Sequence, residues 1–146
     1  FALLGFVWLC VRRAADVYDV LIVHMTMKWY AAVLARLEPG TRVLDVGIGT
    51  ASALVRNKGL IVGKDLTFVG VDYDAGYIKK GITVVSRAGL AGRVALRCAS
   101  IYDFRAPHTF DDAYFSGSLM IMPDPAAALR SVAAMLAPGE IGVSRK

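Results

Sequence analysis

Four stretches of the sequence carry the residue types that chemistry needs. The first is Asp45-Val46-Gly47-Ile48-Gly49-Thr50-Ala51, and the second is Gly70-Val71-Asp72-Tyr73-Asp74. The third is Cys98-Ala99-Ser100-Ile101-Tyr102-Asp103, and the fourth is Phe115-Ser116-Gly117-Ser118. Gly47 and Gly49 permit a tight turn and a close approach of backbone to ligand. Asp72 directly follows an apolar run. A carboxylate at such a strand end accepts hydrogen bonds from two ribose hydroxyls at once. The two features together point to a ligand that contains adenosine.

The details of the first stretch discriminate between such ligands. A dinucleotide site wants Gly-x-Gly-x-x-Gly, with pyrophosphate over a helix N-terminus. Ser52 stands where the third glycine belongs, and Asp45 would repel a phosphate. A ligand with an ammonium group and no phosphate would welcome that carboxylate. S-adenosylmethionine has this character: ribose, adenine, an amino-acid tail and a sulfonium.

The elements that must position these residues alternate. Thr26 to Leu37 carries a helical stripe of Tyr30, Val33, Leu34 and Leu37, stopped by Glu38-Pro39-Gly40. Arg42 to Val46 reads as a strand running into Gly47, and Thr50 to Arg56 as a helix with Thr50 or Ser52 near its start. Asn57 to Asp65 is expected to be a loop, and Leu66 to Val71 a second buried strand. Asp74 is placed to cap a helix whose face holds Ile78, Ile82 and Val85, ending at Gly89. Val94 to Cys98 and Asp112 to Phe115 are further strands, and Pro125 to Leu136 is a helix with proline in its first turn. This order predicts an α/β fold, a Rossmann-like three-layer α/β/α sandwich around a mostly parallel sheet. Strands covered on both faces also account for a hydrophobic fraction of 56 % with only 20 % charged residues.

Seventeen Lys and Arg against twelve Asp and Glu leave a net charge of +5, but the basic residues are scattered. No nucleic-acid face is expected from that pattern. Two cysteines and two histidines argue against a disulfide framework and a dedicated metal cage. Residues 1–25 read as an apolar segment and lead-in helix, and 26–146 as the ligand-binding domain. Phe1 to Val11 is apolar and is followed by Arg12 and Arg13. As a helix it would span about 16 Å, roughly half a bilayer core. Two readings stay open: the tail of a membrane helix with the arginines as its cytoplasmic flank, or an apolar helix packed on the domain or a partner. The expected location is the cytoplasm or the cytoplasmic face of a membrane. The chain opens on Phe, and it closes on a strand that Ile141-Gly142-Val143 barely begins. Both ends read as those of a fragment.

The series VLDVGIGTASAL, VGVDYDAGYI, RVALRCASIYDF, FDDAYFSGSLMIMPDP and LAPGE resembles the motifs of class I S-adenosylmethionine-dependent methyltransferases. The resemblance spans Arg42 to Glu140. The family pattern at the first loop is acidic-x-Gly-x-Gly-x-Gly. Asp45, Gly47 and Gly49 match it, and Ala51 replaces the last glycine. The resemblance implies that Asp45 and the backbone of Gly47, Ile48, Gly49 and Thr50 hold the methionine moiety. It implies that Asp72 binds the ribose hydroxyls, Tyr73 lies against the adenine, and Ser100 and Ile101 meet the ring. Ser116 and Gly117 would line the methyl-donor end. The family fold carries more strands than the about five supplied here.

Methyl transfer from a sulfonium is an in-line displacement, for which holding the reactants aligned supplies much of the catalysis. No catalytic base is assigned; His24, Tyr18 and Asp19 precede the first strand, with a surface or half-buried imidazole as the plainer reading of His24 and packing as that of Tyr18 and Trp29. Asp45 has the alternative of a structural carboxylate bonded to loop amides. Asp111 and Asp112 are expected to face solvent, Cys98 to be buried and inert, and Met120, Met122 and Met135 to line core or groove. The expected acceptor is a small molecule or lipid. Other readings are a nicotinamide-dependent oxidoreductase domain and a non-catalytic, membrane-tethered interaction module.

Overall fold

The computed structural model describes residues 21–138. Residues 21–36 form helix α1. Its inward stripe of Val23, Met27, Tyr30, Leu34 and, just beyond its end, Leu37 packs on the core at spacings of three and four. Strand β1 (Arg42–Val46) follows, then two short helices, α2 (Ser52–Val55) and α3 (Lys58–Gly63). Strand β2 (Thr67–Asp72) leads to α4 (Ala75–Arg87), and α4 to β3 (Val94–Cys98). Strand β4 (Asp112–Phe115), a 3-10 turn (Leu119–Ile121) and α5 (Pro125–Ala133) complete the order.

All four strands are parallel, in the order β3-β2-β1-β4. The chain therefore winds outward from β1 through β2 to β3, then returns to the other side of β1. Alternation along β1 sends Val43 to one face and Leu44 and Val46 to the other. The first face packs on α1 to α4, through Tyr30, Leu34, Leu54, Ile61, Ile78 and Val85. The second packs on α5 and the segment after β3, through Ala128, Val132, Met135 and Ile101. This is the expected three-layer α/β/α sandwich of a Rossmann-like fold. The strand expected beyond Glu140, and Phe1 to Val11, lie outside the described residues. Among those described, no helix is long and apolar enough to cross a membrane.

Several boundaries differ from the sequence reading, each for a physical reason. Asn57 to Asp65 is not a loop but contains α3. Its two glycines and flanking lysines hide the helix, and burial of Ile61 overrides their poor propensity. Asn57 Nδ2 donates to the carbonyls of Met27 and Ala53 and so ties α2 to α1. Ile82 is 56 % exposed rather than on the inner face of α4. Gly81 takes the inner place, because a side chain there would press on Leu96 and on the Thr50 carbonyl. Asp74 does cap α4, accepting from the Tyr77 amide at 2.9 Å. Helix α5 ends at Ala133, and Leu136 pairs instead with Phe110.

Helix α1 is held at its C-terminal end by a single cation. Lys64 Nζ donates to the carbonyls of Leu34, Ala35 and Leu37 at 3.1, 2.6 and 2.7 Å. A positive charge on the last carbonyls is favoured by the helix dipole. Replacing Lys64 by Met should lower stability to urea by about 2 kcal/mol, since hydrogen bonds to charged groups contribute about 1.5–3 kcal/mol each and water replaces part of them.

Candidate cofactor site at the strand tips

The order of the sheet reverses between β1 and β4. Ligands of open α/β sheets settle beyond the carboxyl ends of strands at such a reversal. A cavity of about 630 Å³ opens there, a size typical of small-molecule sites. Gly47, Gly49, Asp72, Tyr73, Ser100, Ile101, Ser116 and Gly117 all line it. Four loops that are far apart in sequence thus meet around one space.

The loop after β1 owes its path to three left-handed residues. Gly47, Gly49 and Ala51 have φ of 78°, 59° and 57°. The alternating small residues of the motif therefore mark an alternating left-handed backbone. A side chain on Gly47 would collide with Ser118, whose Oγ donates to the Val46 carbonyl at 2.5 Å. Ala51 holds the conformation at a steric cost that glycine would not meet. It, rather than Thr50 or Ser52, is the residue before α2; those two hydroxyls bond each other at 2.8 Å. The side chain of Ile48 is buried against Gly70. Neither Ile48 nor Thr50 lines the cavity.

Asp72 is the carboxylate at the cavity wall. Its Oδ2 accepts from the Gly49 amide at 2.9 Å, and its Oδ1 from the Asp74 amide at 3.0 Å. Each oxygen has taken one bond and retains capacity for another.

Asp45 departs from the sequence reading, which needs both acids at the cavity. Its carboxylate does not line the space and is 0 % exposed. The strand period puts it on Val43's face, beneath α1. Tyr30 Oη donates to its Oδ2 at 2.6 Å, while Oδ1 has no partner. Burial pushes the Asp45 carboxyl up to about 7; the Tyr30 bond opposes that shift and the charge of Asp72 adds to it. Burial, then Asp45, push the Tyr30 hydroxyl well above the usual phenol range. The Tyr30 ring also meets that of Tyr114 edge-on, with centroids 5.0 Å apart.

Other expectations resolve individually. Cys98 is exposed rather than buried, because the end of β3 lies at the sheet's margin. Asp111 and Asp112 are exposed as expected, and Asp111 also takes a side-chain pair and the backbone amide of Arg42, which hold its carboxyl below the usual range. Met135 is in the core and Met122 lines the cavity, whereas Met120 is exposed. His24 is exposed on α1, and Tyr18 and Asp19 lie outside the described residues. Tyr77, Ile121 and Pro123, outside the four stretches, also line the cavity, as do Tyr102 and Ser118, which lie within them but had no role assigned. Tyr102 joins it because its hydroxyl bonds the backbone of Asp124 across the loops.

A family model described as a methyltransferase domain matches residues 43–139. The chain belongs to the methyltransferase-domain family. This methyltransferase domain is 31 % identical over 101 residues to the O-methyltransferase resE of Aspergillus sclerotiorum, covering 68 % of this chain and 37 % of that protein. Among solved structures, the [4+2]-cyclase SpnF matches with a TM-score of 0.70 and 27 % identity, over 77 % of this chain and 42 % of that one. A SAM-dependent methyltransferase from Thiobacillus denitrificans, in complex with S-adenosyl-L-homocysteine, matches with a TM-score of 0.63 and 25 % identity, over 75 % and 44 % of the two chains. The chain thus spans less than half the length of each of these relatives.

Two predictions follow from this geometry. Ala51→Gly relieves a left-handed alanine by about 1–2 kcal/mol, but glycine adds about 0.5–1 kcal/mol of chain entropy and the buried methyl is lost at about 0.8 kcal/mol. Stability should therefore stay within about 0.5 kcal/mol of the parent, where an ordinary buried alanine would lose more. Urea unfolding checks it. For Asp45 the folded state binds its proton more tightly than the unfolded chain does. Stability should therefore fall as pH rises from about 4 to about 7 and level off above. Asp45→Asn should flatten this slope, leaving a protein more stable than the parent at pH 8 and similar at pH 4. A parent whose stability rises over the same window contradicts the assignment.

Proposed function

We propose that the cavity holds S-adenosylmethionine and that the domain transfers its methyl group to a small-molecule acceptor. The observation that carries this reading is Asp72: a carboxylate at the tip of β2, facing the cavity, with acceptor capacity left on both oxygens. Vicinal ribose hydroxyls match it. The left-handed loop at Gly47 to Ala51 brings the backbone of Gly47 and Gly49 to the same space, where it would pack against the methionine part; their amides are bonded to the Val71 carbonyl and to Asp72. Tyr73, Ser100 and Ile101 stand on the adenine side, and Ser116 and Gly117 on the methyl side. The Thiobacillus relative with its bound homocysteine form supports the choice of cofactor, and the fungal O-methyltransferase supports a small acceptor. Asp45 would act on the bound cation only through the β1 tip.

S-adenosylmethionine held there would supply an electrophilic methyl carbon with sulfur as the leaving atom, and an acceptor hydroxyl would release its proton to solvent as the product leaves. The chain's own part is alignment and exclusion of water.

Calorimetry tests the cofactor assignment. S-adenosylhomocysteine should bind the chain and NADH should not. Asp72→Ala should weaken S-adenosylhomocysteine about 100-fold or more, the loss expected for two charge-assisted hydrogen bonds. Circular dichroism of the variant separates that loss from unfolding. Binding of NADH, or undiminished binding in a folded Asp72→Ala, would overturn the assignment.

A further inference from the structure

The rim of the cavity is not uniform. Near β2 it carries tyrosines, Tyr73 and Tyr77. Near β4 it carries large apolar side chains from two elements. Trp29 of α1 is 50 % exposed, and its Cζ3 lies 4.0 Å from where a side chain on Gly117 would begin. Gly117 itself lines the cavity. The 3-10 turn adds Met120, 90 % exposed, and Ile121, 82 % exposed, with Ile121, Met122 and Pro123 on the cavity wall. Exposed Met25 and Ile22 continue the apolar track along α1 from Trp29, for about 10 Å at 1.5 Å per residue. The cavity wall includes one carboxylate, Asp72, and no Lys, Arg or His.

We infer that the methyl acceptor is an uncharged, apolar, flat molecule that enters at the β4 side, between Trp29 and the Met120–Ile121 turn. This rests on the proposed cofactor assignment and names the substrate class for the same site. Three observations converge on it. Large apolar side chains exposed this far are stabilised when a ligand covers them. A Trp beside a glycine offers a broad planar surface next to an open gap, which suits a ring. A charged acceptor would lose its hydration at a wall without basic partners, and an anion would also meet Asp72. The tip of β4 lies two strands from that of β2, about 10 Å away. An acceptor at this rim therefore leaves the ribose carboxylate free for the cofactor.

The test uses the full chain saturated with S-adenosylhomocysteine, titrated calorimetrically with 2-naphthol and with its charged counterpart 2-naphthoate. 2-Naphthol should bind at least about tenfold tighter than 2-naphthoate, and Trp29→Ala or Met120→Ser should weaken it about fivefold or more, the loss expected for truncating an apolar anchor. Trp29→Ala should keep its affinity for S-adenosylhomocysteine. Absence of S-adenosylhomocysteine binding in the parent sinks the cofactor reading. Retained S-adenosylhomocysteine binding with equal affinity for both naphthalenes, or with 2-naphthol unaffected by Trp29→Ala, sinks the acceptor reading alone. Co-sedimentation with phosphatidylcholine vesicles that Trp29→Ala abolishes also overturns it, because the rim then serves a lipid surface.

Discussion

The carboxylate of Asp72 joins the tips of two neighbouring strands. It accepts the Gly49 amide from the loop after β1 and the Asp74 amide from the turn into α4. Both amides belong to irregular backbone, where no strand or helix partner is available to them. A charged acceptor satisfies them more strongly than a neutral one. The consequence reaches beyond local bonding. The left-handed loop is fixed against β2, α4 starts where Asp74 caps it, and the remaining acceptor capacity of Asp72 is turned to the cavity. One side chain thereby braces the scaffold and faces the cavity.

The second acid of the strand tips has the opposite environment. Asp45 sits in the middle layer of the sheet, paired in register with Gly70 on one side and Tyr114 on the other. One phenol is its partner, and one of its oxygens has none. Burying an ionised carboxylate with so little compensation is costly, so protonation is favoured instead. Strand alternation gives the two carboxylates different surroundings: Asp45 lies beneath α1, and Asp72 lies at the cavity wall. What binds Asp45 into the structure is α1, whose position Lys64 and Asn57 fix from below.

Much of this was legible in the residues. Strands β1, β3 and β4 stand where short, largely apolar runs between turn residues placed them. Asp74 and Pro125 marked the starts of α4 and α5 for local reasons of capping and fixed φ. The gathering of Gly47, Asp72, Ser100 and Ser116 around one cavity follows from parallel strands, whose carboxyl ends share an edge. The failures are of another kind. Helix α3 exists because Ile61 is buried by distant residues. Asp45 turns from the cavity because its neighbour in space is Tyr30, on an element fifteen positions earlier. Tyr102 and Ser118 reach the cavity through bonds to backbone elsewhere in the chain. The burial of Ile61 and the long-range bonds of Tyr102 and Ser118 have no signature in local spacing, whereas strand alternation along β1 did mark the face of Asp45.

Ser118 deserves a final consideration for what its bond to the Val46 carbonyl imposes. It is buried, and it fills the space that a side chain on Gly47 would take. The segment after β4 is thus bolted to the glycine turn after β1, across the reversal of the sheet. A displacement on one flank would strain this bond and so bear on the other flank. Two ligands held on the two flanks would therefore sense each other's presence through this joint: their binding energies would be linked, and the linkage would act equally in both directions.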